Sequence, residues 1–215
     1  MRVSTAGVVL DGHLDAPAGG RGVVLFAHGS GSSRLSPRNR AVAAALHHLG
    51  VGTLLIDLLT GDEEAVDERT ARLRFDIGLL ARRLGGIVEW LAARPEGRAG
   101  SIGLFGASTG AAAAAIAAAD HPQAVAAVAS RGGRVDLAGP GVLERVRAPT
   151  LLIVGERDAP VLDLNLSALG RIRAMRALAI VPGASHLFEE PGTLDEVVRL
   201  AGMWFGRYLG ARGGA

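Results

Sequence analysis

"SIGLFGASTGAAAAAIAAAD", residues 101–120, is the stretch on which the fold turns. A short apolar run stops at a five-residue turn, Gly106-Ala107-Ser108-Thr109-Gly110. A run of alanines follows, with the highest helix propensity available. The turn is G-x-S-x-G placed between a strand and a helix. There the flanking glycines let the chain turn tightly enough to hold the Ser hydroxyl out at its tip. Alone, the motif fits an ordinary Gly-rich turn equally well. Its surroundings decide.

Moving outward, five more apolar runs recur: "GVVLFAH" (22–28), "VGTLLID" (51–57), "AVAAVAS" (124–130), "TLLIVG" (150–155) and "ALAIVPG" (177–183). Each has the length of a strand buried on both faces and ends in turn residues. Amphipathic segments lie between them. Residues 69–94 place Leu73, Ile77, Leu80, Leu84, Ile87 and Leu91 at helical spacing on one face. "PRNRAVAAALHHLG" opens with Pro and closes with Gly, and "TLDEVVRLAGMWFGRYL" supplies a last helix. This alternation predicts an α/β fold, a mostly parallel sheet flanked by helices on both faces. One domain over 1–215 is expected, with an antiparallel hairpin at its N-terminal edge. Only residues 131–148 separate the runs 124–130 and 150–155, which leaves no room there for a helical cap, so no cap domain is expected and the site should be shallow and open.

Composition excludes several chemistries. The chain has no Cys, so disulfides, thiolate metal sites and a Cys nucleophile are ruled out. All 23 basic residues are Arg. Without Lys there is no Walker-type phosphate loop and no Schiff base. A net charge of +2 and 4% aromatic residues give no nucleic-acid footprint. No apolar run approaches the roughly 18 residues of a membrane span. The opening "MRVSTAGVVLDGHLD" meets Asp and His too early for a signal core. A cytoplasmic protein with a small-molecule substrate is expected, with no metal, no cofactor and neither nucleic acid nor membrane as partner.

In such sheets, ligands sit at the carboxyl ends of the strands. Ser108 stands at one such end. "TLLIVGERDAP" puts Asp158 just past another, and "VPGASHLFEEPG" puts His186 just past the next. A Ser hydroxyl needs a base to act as nucleophile, and an imidazole base needs a carboxylate to fix its tautomer. The chain order Ser108, Asp158, His186 is that of nucleophile-elbow hydrolases. Asp158 could instead cap the helix after it, and a loop His is often idle. Their joint placement at three strand ends favours the triad.

At these residues the sequence resembles the α/β-hydrolase superfamily, and within it the compact dienelactone-hydrolase-like branch. "LFAHGSGSS", "GLFGASTGAAAA", "PTLLIVGERDAPV" and "VPGASHLFEEPG" follow that family's order and spacing over nearly the whole chain. The resemblance implies a serine hydrolase of small esters, with Ser108 as nucleophile, His186 as general base and Asp158 as its orienter. Dienelactone hydrolases proper use a Cys at the nucleophile position, where this chain has Ser108. The resemblance also implies an oxyanion hole from the backbone N–H groups of Ser30 and Thr109. His28 then orders the loop.

The loop "HGSGSSR" has a competing reading as a dinucleotide cradle. Gly29 and Gly31 match G-x-G-x-x-G, but Arg34 replaces the third Gly, and "SSRLSPR" delays the helix. Asp57 lies farther on than a ribose-binding acid usually does and is expected to brace the loop or cap a helix. Arg131, at a strand end, is a candidate contact for an anionic substrate group; the alternative is an exposed Arg paired with a carboxylate. Two other functions stay open at this point. One is a non-catalytic binding or regulatory module of the same fold; the other is a cofactor-free haloperoxidase-like activity using the same three side chains.

Overall fold

Each of the six apolar runs forms a strand in a computed structural model that describes residues 1–97 and 101–210. Residues 98–100 and 211–215 of the expected 1–215 domain lie outside the described residues. Strands β1 (Arg2–Thr5) and β2 (Val8–Asp15) make the N-terminal hairpin. The others are β3 (Val23–Ala27), β4 (Gly52–Ile56), β5 (Ile102–Ala107), β6 (Val125–Arg131), β7 (Thr150–Gly155) and β8 (Arg176–Val181). Their order across the sheet is β1-β2-β4-β3-β5-β6-β7-β8. β2 pairs antiparallel with β1 and β4, and every later pairing is parallel. The β5–β6 register sets Ala107 beside Arg131, so the turn before Ser108 abuts the end of β6.

Helices α1 (Pro37–His48), α2 (Gly61–Thr70), α3 (Ile77–Ala92), α4 (Gly110–Asp120), α5 (Pro140–Leu143), α6 (Ala159–Leu169) and α7 (Thr193–Tyr208) complete the chain. Alternate strand residues go to opposite faces of the sheet. Leu25, Leu104 and Val128 pack with α3 and α4, whereas Phe26, Phe105 and Ile153 pack with α1 and α7. Nearly every residue of the alanine-rich α4 is buried, because its methyl side chains let it lie close to the sheet. Among the described residues no helix is long and apolar enough to cross a membrane.

Two expectations need correction, and one helix was not expected at all. The periodic segment 69–94 is not one helix: α2 ends at Thr70, Ala71 turns left-handed (φ 52°), and α3 starts only at Ile77 on an Asp76 cap. Leu73 sits on a 3-10 turn between them. α2 itself has no apolar stripe and was invisible to periodicity. Its sequence signal is the capping box Thr60–Glu63, in which each side chain takes the other's backbone N–H. Finally β8 is not buried on both faces; it is the sheet's edge, and Ile180 is exposed.

Candidate active site

The turn after β5 is as tight as its sequence requires. Ser108 has φ 48°, a left-handed conformation that costs a β-carbon residue energy and is typically retained where function demands it. A β-carbon on Gly106 would lie 2.4 Å from the Ala111 Cα, and one on Gly110 would lie 2.2 Å from the Ala27 carbonyl oxygen. Neither position can hold any other residue without moving backbone. The Ser108 N–H donates to the Arg131 carbonyl (3.3 Å), and the Ser108 carbonyl accepts from Arg134 N–H (2.9 Å). The end of β6 therefore clamps the turn.

Asp158 begins α6, yet its side chain makes no capping hydrogen bond. Its Oδ2 instead accepts from His186 Nδ1 at 2.6 Å. With Nδ1 donating, Nε2 is left as the basic nitrogen. Ser108 and His186 both line a cavity of about 770 Å³ at the carboxyl ends of the strands. Ser108 Oγ has no hydrogen-bond partner among the described residues. Catalytic hydrogen bonds of this kind are commonly long in the unliganded state and tighten with substrate. Glu156, the nearest alternative carboxylate in sequence, is engaged elsewhere, accepting from Gly183 N–H at 2.7 Å.

The loop carrying His186 is fixed by Glu190, which accepts from Ser185 N–H (3.0 Å) and from Arg157 Nη2 (2.7 Å). The Ser185 N–H above all, then its own backbone N–H and the Arg157 charge, hold the Glu190 carboxyl down at about 2. A carboxyl depressed in the folded state stabilises fully above its unfolded pKa of about 4.3 and stops doing so as pH falls through its folded value. The melting temperature should therefore drop between about pH 4 and 2. Glu190→Gln should already be less stable at neutral pH and should show a flatter decline across that window. Parallel declines in the two proteins would refute this role.

In the Gly-rich loop His28 is buried, accepts from Leu58 N–H through Nε2 (3.1 Å), and contacts the Gly29 carbonyl through Nδ1 (3.1 Å). Burial pushes its pKa below the ordinary value, so both nitrogens are occupied by a neutral ring that orders the loop. Asp57 braces the same loop, pairing with the Arg34 guanidinium and accepting from Arg34 N–H (2.6 Å). Its carboxylate is thus committed to Arg34, which argues against the ribose-binding role that the dinucleotide reading gives it. Thr109 N–H has no partner among the described residues. The Ser30 N–H is less free than its sequence position suggests: it donates to Thr109 Oγ1 at 3.0 Å.

The crossover 131–148 holds only short turns and α5, and no cap covers the site. Leu59, Glu64, Asp67 and Arg74, from the segment around α2, build a wall of the cavity. Arg131 also lines the cavity; it is 8% exposed and has no carboxylate partner among the described residues, against the alternative of an exposed, paired Arg.

No family model matches the chain. Two Mycobacterium tuberculosis proteins, one from each of two strains, are 54% identical to it over 205 residues, 95% of this chain. Both carry the provisional name phosphoribosyl transferase, and the chain spans 45% of their length. Among solved structures, Est1E from Butyrivibrio proteoclasticus has a TM-score of 0.81 at 14% identity, covering 97% of this chain and 98% of that one; it shares the fold. A dienelactone hydrolase from Anabaena variabilis has a TM-score of 0.93 at 55% identity, covering 97% of this chain and 96% of that one. With that identity along nearly the full length of both, the chain belongs to the α/β-hydrolase superfamily, in its dienelactone-hydrolase-like branch.

Proposed function

We propose that the protein is a serine hydrolase, acting as one α/β-hydrolase domain, that cleaves small carboxylic esters through an acyl-Ser108 intermediate. The observation that carries this reading is Asp158, which forgoes its helix cap to hold His186 beside the cavity that Ser108 lines. Ser108 Oγ attacks the ester carbonyl carbon while His186 Nε2 takes its proton. The tetrahedral oxyanion collapses, breaking the bond to the alcohol oxygen, which leaves with the proton from His186. Water then gives a proton to His186 as its oxygen bonds to the acyl carbon. Ser108 Oγ departs with that proton, and a carboxylic acid is released. Asp158 stabilises the imidazolium in both halves.

A fluorophosphonate should label Ser108 stoichiometrically and abolish turnover of short-chain nitrophenyl esters; labelling elsewhere, or turnover that survives labelling, would sink the reading. A non-catalytic module would show neither labelling nor turnover. The transferase name of the mycobacterial relatives belongs, on this reading, to the part of their length that this chain does not span.

The oxyanion is held by the N–H groups of Thr109 and Ser30. Thr109 lies at the start of α4, where orphan N–H groups and the positive helix end favour negative charge. For Ser30, the substrate oxygen displaces the Thr109 hydroxyl as acceptor. Ser30→Pro deletes that donor and should cost roughly 10²–10³ in kcat. KM should change less, because the charge develops only in the transition state. Ser30→Ala keeps the N–H and should cost far less. Proline also fixes φ, so an unchanged melting curve must accompany the kinetics. Equal losses in the two variants would remove Ser30 N–H from the hole.

A further inference from the structure

Among the described residues two arginines are almost wholly buried, and they differ in one respect. Arg83, 2% exposed, is neutralised by Glu63 through two hydrogen bonds and also donates to the Leu58 carbonyl. Arg131, 8% exposed, has no carboxylate partner among the described residues, and its Nη1 is buried without any partner among them. Burial, and secondarily the neighbouring Arg38, pull its pKa down to about 10, so at neutral pH it still carries its charge. A buried cation without a counter-ion is costly, and a fold retains one only where something else compensates.

The surroundings say what compensates it. Arg131 ends β6, next to the turn that holds Ser108, and lines the same cavity. Arg38 lines it too; among the described residues its Nε is buried without a partner, and its Nη1 donates to Glu189, whose side chain is 61% exposed. Arg38 lies in the first turn of α1, whose N-terminal residues Ser36 and Pro37 also face the cavity. That helix end adds positive potential. Acidic groups of the cavity sit on the α2 wall: Asp67 is taken by Arg74, the carboxyl of Glu64 is pushed up by burial and by Asp57, and Glu68 adds a further carboxylate. The cavity is therefore polarised, positive at Arg131 and Arg38 and negative at α2.

Building on the ester-cleaving reading above, we infer that Arg131 and Arg38 form an anion subsite that takes a phosphate group of the ester substrate. A carboxylate would balance Arg131 alone. A phosphate dianion balances both guanidinium groups and offers oxygens to both forks, releasing Arg38 from its exposed partner.

The test has a kinetic and a binding arm. Three acetate esters of one phenol skeleton, bearing a para phosphate, a para carboxylate or a para carboxamide, isolate the charge. We expect kcat/KM to fall in that order, with about tenfold to a hundredfold between phosphate and carboxamide, the range of a hydrogen bond to a charged group. Arg131→Gln should bring the phosphate-to-carboxamide ratio to near one, and Arg131→Lys should restore part of it. Arg38→Gln should erase the phosphate-over-carboxylate preference. In the binding arm, inorganic phosphate should bind the Ser108→Ala protein by calorimetry at constant ionic strength. If phosphate binds but no ester is turned over, the anion subsite stands and the ester reading fails. If esters are cleaved without charge preference and phosphate does not bind, the subsite is overturned. A carboxylate preference overturns the assignment to phosphate. Should Arg131→Gln fail to fold, the wild-type ester order and the Arg38→Gln protein still decide.

Discussion

Ser108→Ala should lower kcat for a short-chain ester by about 10⁶, the scale on which losing the nucleophile disables enzymes of this type. On the proposed mechanism the effect is large because the other groups act only through the bond that Ser108 Oγ forms. His186 without a nucleophile has only water to activate, and water is not positioned by the turn. A residual acceleration of roughly 10³–10⁴ over the uncatalysed reaction should persist, supplied by the oxyanion donors and by binding. Folding should be nearly unaffected. Ala keeps the β-carbon at φ 48°, and the hydroxyl it removes has no partner to lose among the described residues. Single-turnover kinetics, read beside a melting curve, check this. A kcat within tenfold of wild type would move the chemistry to another residue.

Much of this site could be read before its geometry was seen, for a physical reason. Ser108 and Asp158 each follow a buried strand and His186 follows the edge strand β8, and all three strands announce themselves as apolar runs. The loop residues inherit their position from those strands. What could not be read depends on contacts between segments distant in sequence. Asp158 occupies a helix N-cap position and could have capped; only the approach of a loop 28 residues on, recorded in its bond to His186, settles what its carboxylate touches. Arg131 could equally have been exposed or buried, because a strand-end Arg carries no pattern of its own. α2 was missed because it is held not by an apolar stripe but by a capping box and by Asp67. That carboxylate, itself buried, receives the Leu73 and Arg74 N–H groups and the Arg74 guanidinium. A helix tied down by polar bonds leaves no 3.6-residue hydrophobic period. The α2 residues Glu64, Asp67 and Glu68 line the cavity, a contribution that the apolar pattern did not announce.

Asp158→Asn tests the part of the site that its sequence left most open, and it should cost about 10⁴ in kcat. The argument runs through the proton on His186. In the wild type the carboxylate accepts from Nδ1 at 2.6 Å, which holds the ring proton there and leaves Nε2 free to take the Ser108 proton. An Asn side chain can turn its NH₂ toward Nδ1, which must then accept. The ring proton moves to Nε2, and the base points a donor where it needs a lone pair. The imidazolium formed during attack also loses its compensating charge. If Asp158 served as a helix cap, the same substitution would leave kcat nearly intact, because Asn caps as well as Asp. The side chain makes no cap bond, and the backbone bonds at this corner, Asp158 N–H to Gly155 and Leu162 N–H to Asp158, do not involve it. The melting curve should therefore change little while kcat collapses. A loss under about tenfold, on the other hand, would require another carboxylate to orient the ring. Glu156, whose Oε2 already accepts from Gly183 N–H, and Asp163 are the candidates, so Glu156→Gln or Asp163→Asn would then have to become the damaging change.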